Sequence, residues 1–269
     1  MVFFDINARP GPRASVILPI LLFLIALGAY MTTAQIRHRE NPEDNVVPTL
    51  AEMADGLKRA ALEPDRKEEY RLYVDTLASG KRFLISLFFL SLAVVLGLHM
   101  GLFPYMEKLC YRFMVFFDKI PALALLPILF IIFGLGETSK IALILLGVFP
   151  TITLDTFLRA KAVPREQVIK GQTLGAGHLE IAYGIVLPQI LPKVLDTIRL
   201  NFKAMILFLI AGESLAATVG LGYRIFVLRR YIAMDIIIPY VMWMSLLAFS
   251  ADWLVKLWVR KRYRWYEQH

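Results

Sequence analysis

Along the 269 residues the apolar positions come in long unbroken blocks that do not alternate with polar ones. Five blocks stand out, at Phe83 to His99, Phe113 to Phe133, Ile141 to Phe157, Val194 to Ala211 and Ile236 to Val259, and Val16 to Ala34 makes a sixth. Each is near the length a helix needs to cross a bilayer, roughly 17 to 24 residues. Lipid offers a backbone no hydrogen bonds, so only helices or closed barrels span it, and a barrel needs short alternating strands that this pattern lacks. The pattern predicts an all-α polytopic membrane protein of about six transmembrane helices in one domain, 1–269. Its first helix falls at 16–34, an outer loop at 35–82 and a five-helix core at 83–258. Arg9 and Arg13 precede the first block, and Thr32-Thr33-Ala34 offers small residues of the kind a signal peptidase cuts. That block is longer than the apolar region of a signal peptide, so it is expected to stay as an anchor.

The polar segments are as informative as the blocks. In "VPTLAEMADGLKRAAL", Thr49 and Glu52 have the spacing of a capping box, and Leu50, Met53, Ala54, Leu57 and Ala61 share one face. An amphipathic helix on the outer surface is expected there, followed by a charged connector, Glu63 to Tyr70, with no packing face. Pro121 and Pro127 fall inside the third block, where a proline frees backbone carbonyls that a neighbour or a water-filled path must satisfy. A bend beside a pathway and a kink absorbed by packing are both open. After Ala211, "GESLAATVGLGYRIFVLRRYIAMD" is too polar and glycine-rich to span, and reads as a re-entrant or interfacial turn.

The strongest interruption is "GQTLGAGHLEIAYGIVLP", Gly171 to Pro188. Pro164 starts a short helix, and Gly175-Ala176-Gly177 permits a sharp turn into a second short helix at "HLEIAYG". Two short rigid helices at an angle make a knob that transmits displacement where a floppy loop does not. Leu187-Pro188 punctuates the return to the membrane.

Composition sharpens this picture. The chain is 58% hydrophobic with a mean hydropathy of +0.59, and its net charge of +8 reports topology before it reports nucleic acid. Lys256, Arg260, Lys261, Arg262 and Arg264 crowd the end of the last block and place the C-terminus in the cytoplasm. Arg159, Lys161, Arg165 and Lys170 place the interrupting loop on the same side. Gln35 to Lys81 carries eight Lys/Arg against ten Asp/Glu, and Arg224, Arg229 and Arg230 also fall outside. The aromatic and basic tail "RKRYRWYEQH" reads as an interfacial anchor.

Candidate chemistry is sparse. The single cysteine, Cys110, cannot form an intrachain disulfide and reads as a filler. His38, His99, His178 and His269 lack ligand spacing, and "GLGETSK" imitates a phosphate loop but has Ser139 where the second glycine must stand. No catalytic group and no metal site is expected on this chain. Glu213 and Asp252 lie in or beside apolar blocks, where ionisable groups are costly. Asp252 is expected to pair with Lys256, and Glu213 to serve either a gate or packing. Lys203 sits about nine residues into the Val194 to Ala211 block, where its stem either snorkels to the headgroups or turns inward to meet an anion.

The spacing of Gly175, Ile185 and Leu187-Pro188 resembles the cytoplasmic signature loop of binding-protein-dependent ABC importer permeases. "VVPT", "IPALALLPILFIIFGLGETSK" and "AGESLAATVGLGY" extend the likeness to the nitrate/sulfonate/taurine branch, over roughly Val46 to Trp258. One departure is plain: Ile169-Lys170-Gly171 stands where the family has Glu-Ala-Ala. The resemblance implies a permease subunit in the inner membrane of a bacterium, carrying a small organic or inorganic anion. It implies a coupling loop at 159–193 whose contact residues are Lys170, Gly171, Gly175, Ala176, Gly177, Glu180, Ile185, Leu187 and Pro188. Lys203, Glu213, Pro121 and Pro127 are candidates for the solute pathway, Glu213 because the family carries a Glu after the fifth helix. The implied partners are a cytoplasmic ABC ATPase dimer holding ATP and Mg, an external solute-binding protein and a second permease copy, with membrane lipid around them and no nucleic acid. An ATP-independent channel or secondary carrier is the alternative.

Overall fold

A computed structural model describes residues 11–41, 44–64 and 68–266. Arg9, His269 and the middle of the Glu63 to Tyr70 connector lie outside the described residues. The described residues are helical almost throughout and contain no strand beyond a lone bridge between Pro64 and Tyr70. Five helices are long and apolar enough to cross a membrane, and seven spans result if each of two bent helix pairs counts as one.

The centre of the bundle is the pair α3 (Arg71–Leu102) and α6 (Glu137–Lys161), which pack along most of their length. Glycines allow that closeness. A Cβ at Gly97 would strike the Thr153 carbonyl oxygen, and one at Gly101 would lie 2.5 Å from the Ala160 Cβ. Without a hydrophobic driving force between helices in lipid, such close approach is a main source of association. Leu90, Leu98, Ile144, Ile152, Val186 and Val194 fill the buried core between these helices and α9 (Leu187–Leu200). Outward, Phe88, Ile131, Met242, Phe249 and Leu254 are exposed. An apolar exterior of that extent is the mark of a surface meant for lipid or another chain.

α3 begins a dozen residues before its apolar block, so the end of the expected outer loop is helical. The third block is not one helix. α4 (Pro104–Asp118) stops, a 3-10 turn at Ala122–Leu125 leads into α5 (Leu126–Phe133), and the two arms meet at 87°. Pro121 precedes the 3-10 turn and Pro127 occupies the first turn of α5. At those places a proline's missing N–H has no helical acceptor to lose, so neither residue kinks a continuous helix. Among the described residues, the prolines inside helices are instead Pro19, Pro150, Pro192 and Pro239, joined by Pro188 within the continuous stretch from His178 to Leu200. The Val194 to Ala211 block also divides, at Asn201, between α9 and α10 (Phe202–Ala216).

α2 (Leu50–Leu62) is capped as expected: the Glu52 N–H donates to Thr49 Oγ1 at 3.3 Å and the Thr49 N–H to Glu52 Oε2 at 2.7 Å. Its buried face differs from the one expected. Met53, Gly56 and Ala60 face the protein, while Leu50, Ala54 and Leu57 are exposed. The reason is Gly56, whose missing side chain lets α2 rest on the backbone of Asp235 at the start of α12 (Met234–Arg262). α1 (Pro12–Glu40) buries none of its apolar window in the bundle. It is tied to the α2 region by polar contacts at its C-terminal end: Tyr30 to the Pro48 carbonyl at 2.7 Å, Arg37 to Asp44 at 2.5 Å and His38 to Glu52 at 3.3 Å.

Candidate coupling loop and outer polar cluster

The loop between α6 and α9 is built around one glycine. α7 (Arg165–Thr173) ends at Leu174, and Gly175 follows at φ +84°, in the left-handed region that side chains avoid. The Ala176 N–H donates to the Gly171 carbonyl and the Gly175 N–H to the Gln172 carbonyl, both at 3.0 Å. These are the paired bonds of a Schellman cap, which closes the helix and reverses the chain. Gly177 then starts the next helix, its N–H donating to Glu180 Oε2 at 2.7 Å.

The second short helix of the sequence reading is not a separate element. α8 (His178–Glu180) passes through a π-helical stretch at Ile181–Val186 straight into α9, giving one helix from His178 to Leu200. Leu187-Pro188 therefore sits inside a helix. The wider π turn accommodates it: the Leu187 N–H reaches the Ala182 carbonyl, five residues back, and Gln189 Nε2 donates to the Ile185 carbonyl at 2.9 Å. Gly171 is buried under this helix, where a Cβ would come within 2.8 Å of Ile185 Cδ1 and 3.2 Å of Ile181 Cγ1. Ile185 and Gly171 thus belong to one packing contact, which joins α7 to the helix that enters the bundle. Ala176 and Leu187 are half-buried, while Lys170, Gly175, Gly177, Glu180 and Pro188 are exposed. The tip carries bare apolar side chains, Leu174 at 88% exposure and Leu179 beside it.

At the opposite end of α3 lies an ion cluster that the sequence disclosed only at Glu213. Glu213 is fully buried in α10. It accepts from Arg82 Nη1 at 2.6 Å, from Ser79 Oγ at 2.7 Å and from the Gly222 N–H at 2.8 Å. Asp75, also fully buried, accepts from the Gly220 N–H at 2.9 Å and from Arg224 Nε at 2.8 Å, and Ser79 accepts from the Leu221 N–H at 2.9 Å. Three successive amides of "GLG" are therefore fastened to α3 and α10. They hold α11 (Leu221–Arg229) at 57° to α10, a bent helix pair of the kind a re-entrant loop or a broken span makes, where a re-entrant or interfacial turn was expected. Gly220, at φ +137°, has no room for a side chain: a Cβ would sit 2.6 Å from Glu213 Cδ. On the far side of Arg82, Nε and Nη2 meet Glu137, which also holds Lys140. Asp75, Ser79 and Arg82 escaped the sequence reading because they lie in a part of α3 taken for outer loop. Their spacing of three to four residues was the available signal.

Lys203 is exposed in the first turn of α10, flanked on the same face by exposed Leu200 and Leu207. Pro121 and Pro127 are exposed as well. Asp252 does not pair with Lys256. Arg199 of α9 reaches it at 3.0 Å while also holding Asp196 at 2.7 Å, because Asp252 faces α9 across the bundle. Among the described residues no cluster of His, Cys, Asp or Glu has the arrangement of a metal site.

A bundle with a bare apolar exterior, a capped helical knob at one end and a buried ion cluster at the other defines a multi-pass membrane protein. More particularly, the chain belongs to the family described as "Binding-protein-dependent transport system inner membrane component", which matches residues 90–264. It is an ABC transporter permease of the nitrate/sulfonate/taurine branch. The taurine transport system permease protein TauC of Escherichia coli (strain K12) is 30% identical over 190 residues, 70% of this chain and 69% of that one. The putative aliphatic sulfonates transport permease protein SsuC of the same organism is 29% identical over 146 residues, 53% of this chain and 56% of its own. The formylaminopyrimidine transport permease protein ThiX of Halalkalibacterium halodurans is 32% identical over 138 residues, 50% of this chain and 55% of its own.

Proposed function

We propose that this chain is the membrane-spanning subunit of an ATP-driven importer for a small organic or inorganic anion, coupled to cytoplasmic ATPases through residues 164–188. The observation that carries the coupling is the Schellman turn at Gly175. It presents Leu174 and Leu179 at the tip of a capped helix whose base, Gly171, is wedged against Ile181 and Ile185. A push on α7 is thereby delivered to a helix that runs without interruption into the core. ATP and Mg belong to the partner ATPases, two of which engage the loops of two permease copies. A solute-binding protein docks on the face where α2 and the ion cluster lie, and the complex sits in the bacterial inner membrane. Alternating access follows when closure of the ATPases draws the two knobs together.

The anion is supported by the solutes for which the relatives are named, taurine and aliphatic sulfonates, and by Lys203, an exposed cation on an apolar face that a second copy would meet across the pathway. The deciding experiment is a screen of small anions for binding-protein-stimulated ATP hydrolysis in the reconstituted complex. One carboxylate or sulfonate is expected to stimulate hydrolysis and to be taken up. Uptake by the chain with no associated Walker-motif ATPase would replace this reading with an ATP-independent channel or carrier.

A further inference from the structure

The stretch Gly134 to Lys140, which in sequence only imitates a phosphate loop, leads into α6 and carries an uneven distribution of charge. Glu137 stands in the first turn of α6 with its side chain 58% exposed. Its carboxylate nevertheless serves two cations that are almost wholly buried, Arg82 at 5% and Lys140 at 4%. Arg82 grips it with two nitrogens, Nε to Oε2 at 2.5 Å and Nη2 to Oε1 at 2.8 Å, and Lys140 Nζ reaches Oε1 at 3.0 Å. The third nitrogen of Arg82 is committed to Glu213 and the Val219 carbonyl. Asp75 is committed to Arg224. Two buried cations thus share the exposed carboxylate of Glu137, and Arg82 has a buried partner besides in Glu213, so part of the charge balance is made up by a group that water already reaches.

We propose that Arg82 and Lys140 form a binding site for a small carboxylate or sulfonate, and that the Glu137 carboxylate is a tethered stand-in displaced when the solute arrives. This rests on the importer reading and deepens it by naming the solute's class and seat. The guanidinium fork accepts two oxygens of one planar or trigonal anion, a pattern that carboxylate and sulfonate share. Exchange of one anion for another leaves the charge of the cluster unchanged, so neither cation is ever bared. Leaving costs Glu137 its three charge-assisted bonds, which the incoming anion must replace on both cations, while the freed carboxylate goes to solvent that already reaches more than half of its side chain. A tethered competitor also keeps binding weak enough for release, which a transport site requires. A neutral or cationic solute has no means of displacing it.

The test is binding of trifluoromethanesulfonate, followed by 19F NMR, to the permease–ATPase complex in phosphatidylcholine nanodiscs without ATP. Removing the competitor with Glu137→Gln is expected to tighten binding by about tenfold or more, with strong salt dependence. Glu137→Asp, too short to hold both cations, is expected to fall between, and Lys140→Gln added to Glu137→Gln is expected to abolish the gain. An assembled Glu137→Gln complex that binds no more tightly than wild type overturns the proposal and leaves a purely structural ion network. If Glu137→Gln fails to assemble, Lys140→Gln alone decides: a raised KM for sulfonate uptake supports the site, and an unchanged KM overturns it. Loss of probe binding on substituting phosphatidylglycerol would assign the site to a lipid phosphate and overturn the solute. Because binding is read without ATP, its outcome is separate from the importer reading, which stands or falls on uptake by the wild-type complex.

Discussion

Gly175 is where one residue's conformation sets the geometry of the knob. No atom lies within 4 Å of a Cβ built there, so a substitution meets strain rather than a clash. The left-handed conformation costs an ordinary residue roughly 1–2 kcal/mol. Gly175→Val should therefore reduce solute uptake several-fold while membrane insertion stays normal, and Gly175→Asn, a residue that tolerates this conformation, should retain more uptake than Val. Wild-type uptake by a well-inserted Val variant would remove the coupling argument. For Lys203, replacement by Met keeps the stem and deletes the charge, and is expected to lower transport of an anionic solute with basal ATP hydrolysis intact. Lys203→Arg should transport better than Lys203→Met. Equal transport by wild type and Met would mark a snorkelling lysine. Gly175 was legible in the sequence because its glycine, its spacing and its flanking helix signals agreed. Arg82 and Asp75 were not, since the spacing they share on one helix face does not show that Glu213 and the Gly220 amide, more than 130 residues away, complete them.

At the scale of elements, the sequence disclosed which segments are helical more reliably than where they stop. The apolar blocks at α3, α6 and α12 became helices. The third block, read as one span, broke at Lys119 to Pro121 because hydrophobicity is blind to a bend that prolines permit at helix starts. The face of α2 was misread for a related reason: burial there follows the close approach at Gly56, not the largest side chains. Gly56→Leu should unseat α2 from α12, seen as faster hydrogen exchange across Leu50–Leu62 with α3 and α6 unaffected. The tie between α1 and α2 adds a pH dependence. The Arg37 guanidinium holds the Asp44 carboxyl below its ordinary value, and the Thr49 amide does the same for Glu52. Depressed carboxylates stabilise the folded contact above their ordinary range and lose that contribution as pH falls through the lowered values. The Thr49–Glu52 cap should therefore begin to open below about pH 4, read as increased exchange at the Glu52 amide.

On the scale of the whole molecule, one bundle presents one knob, whereas the proposed function sets two knobs against two ATPases. Native mass spectrometry is expected to find two copies of this chain with two ATPases, and one copy beside a different permease would overturn the homodimer. The apolar block of α1, which the bundle leaves bare, then has lipid or the second copy as its surroundings. That a knob exists, on the side of the basic C-terminus, was legible from motif spacing and charge. That it is one short helix leading into a long one was not, because a π turn absorbs Leu187-Pro188 and no local signal separates that from a break.

The fastening of Gly220, Leu221 and Gly222 to α3 has a consequence for how the chain is made. Asp75, Ser79 and Arg82 leave the ribosome long before the amides and the carboxylate that complete them. Arg82 finds Glu137 when α6 emerges, but Asp75 waits for Arg224. A nascent chain halted after Lys161 would carry the Asp75 carboxylate without the Arg224 and Gly220 donors that complete it. Such a fragment should be held by insertion chaperones or degraded, while extension past Arg224 should release it into a protease-resistant form.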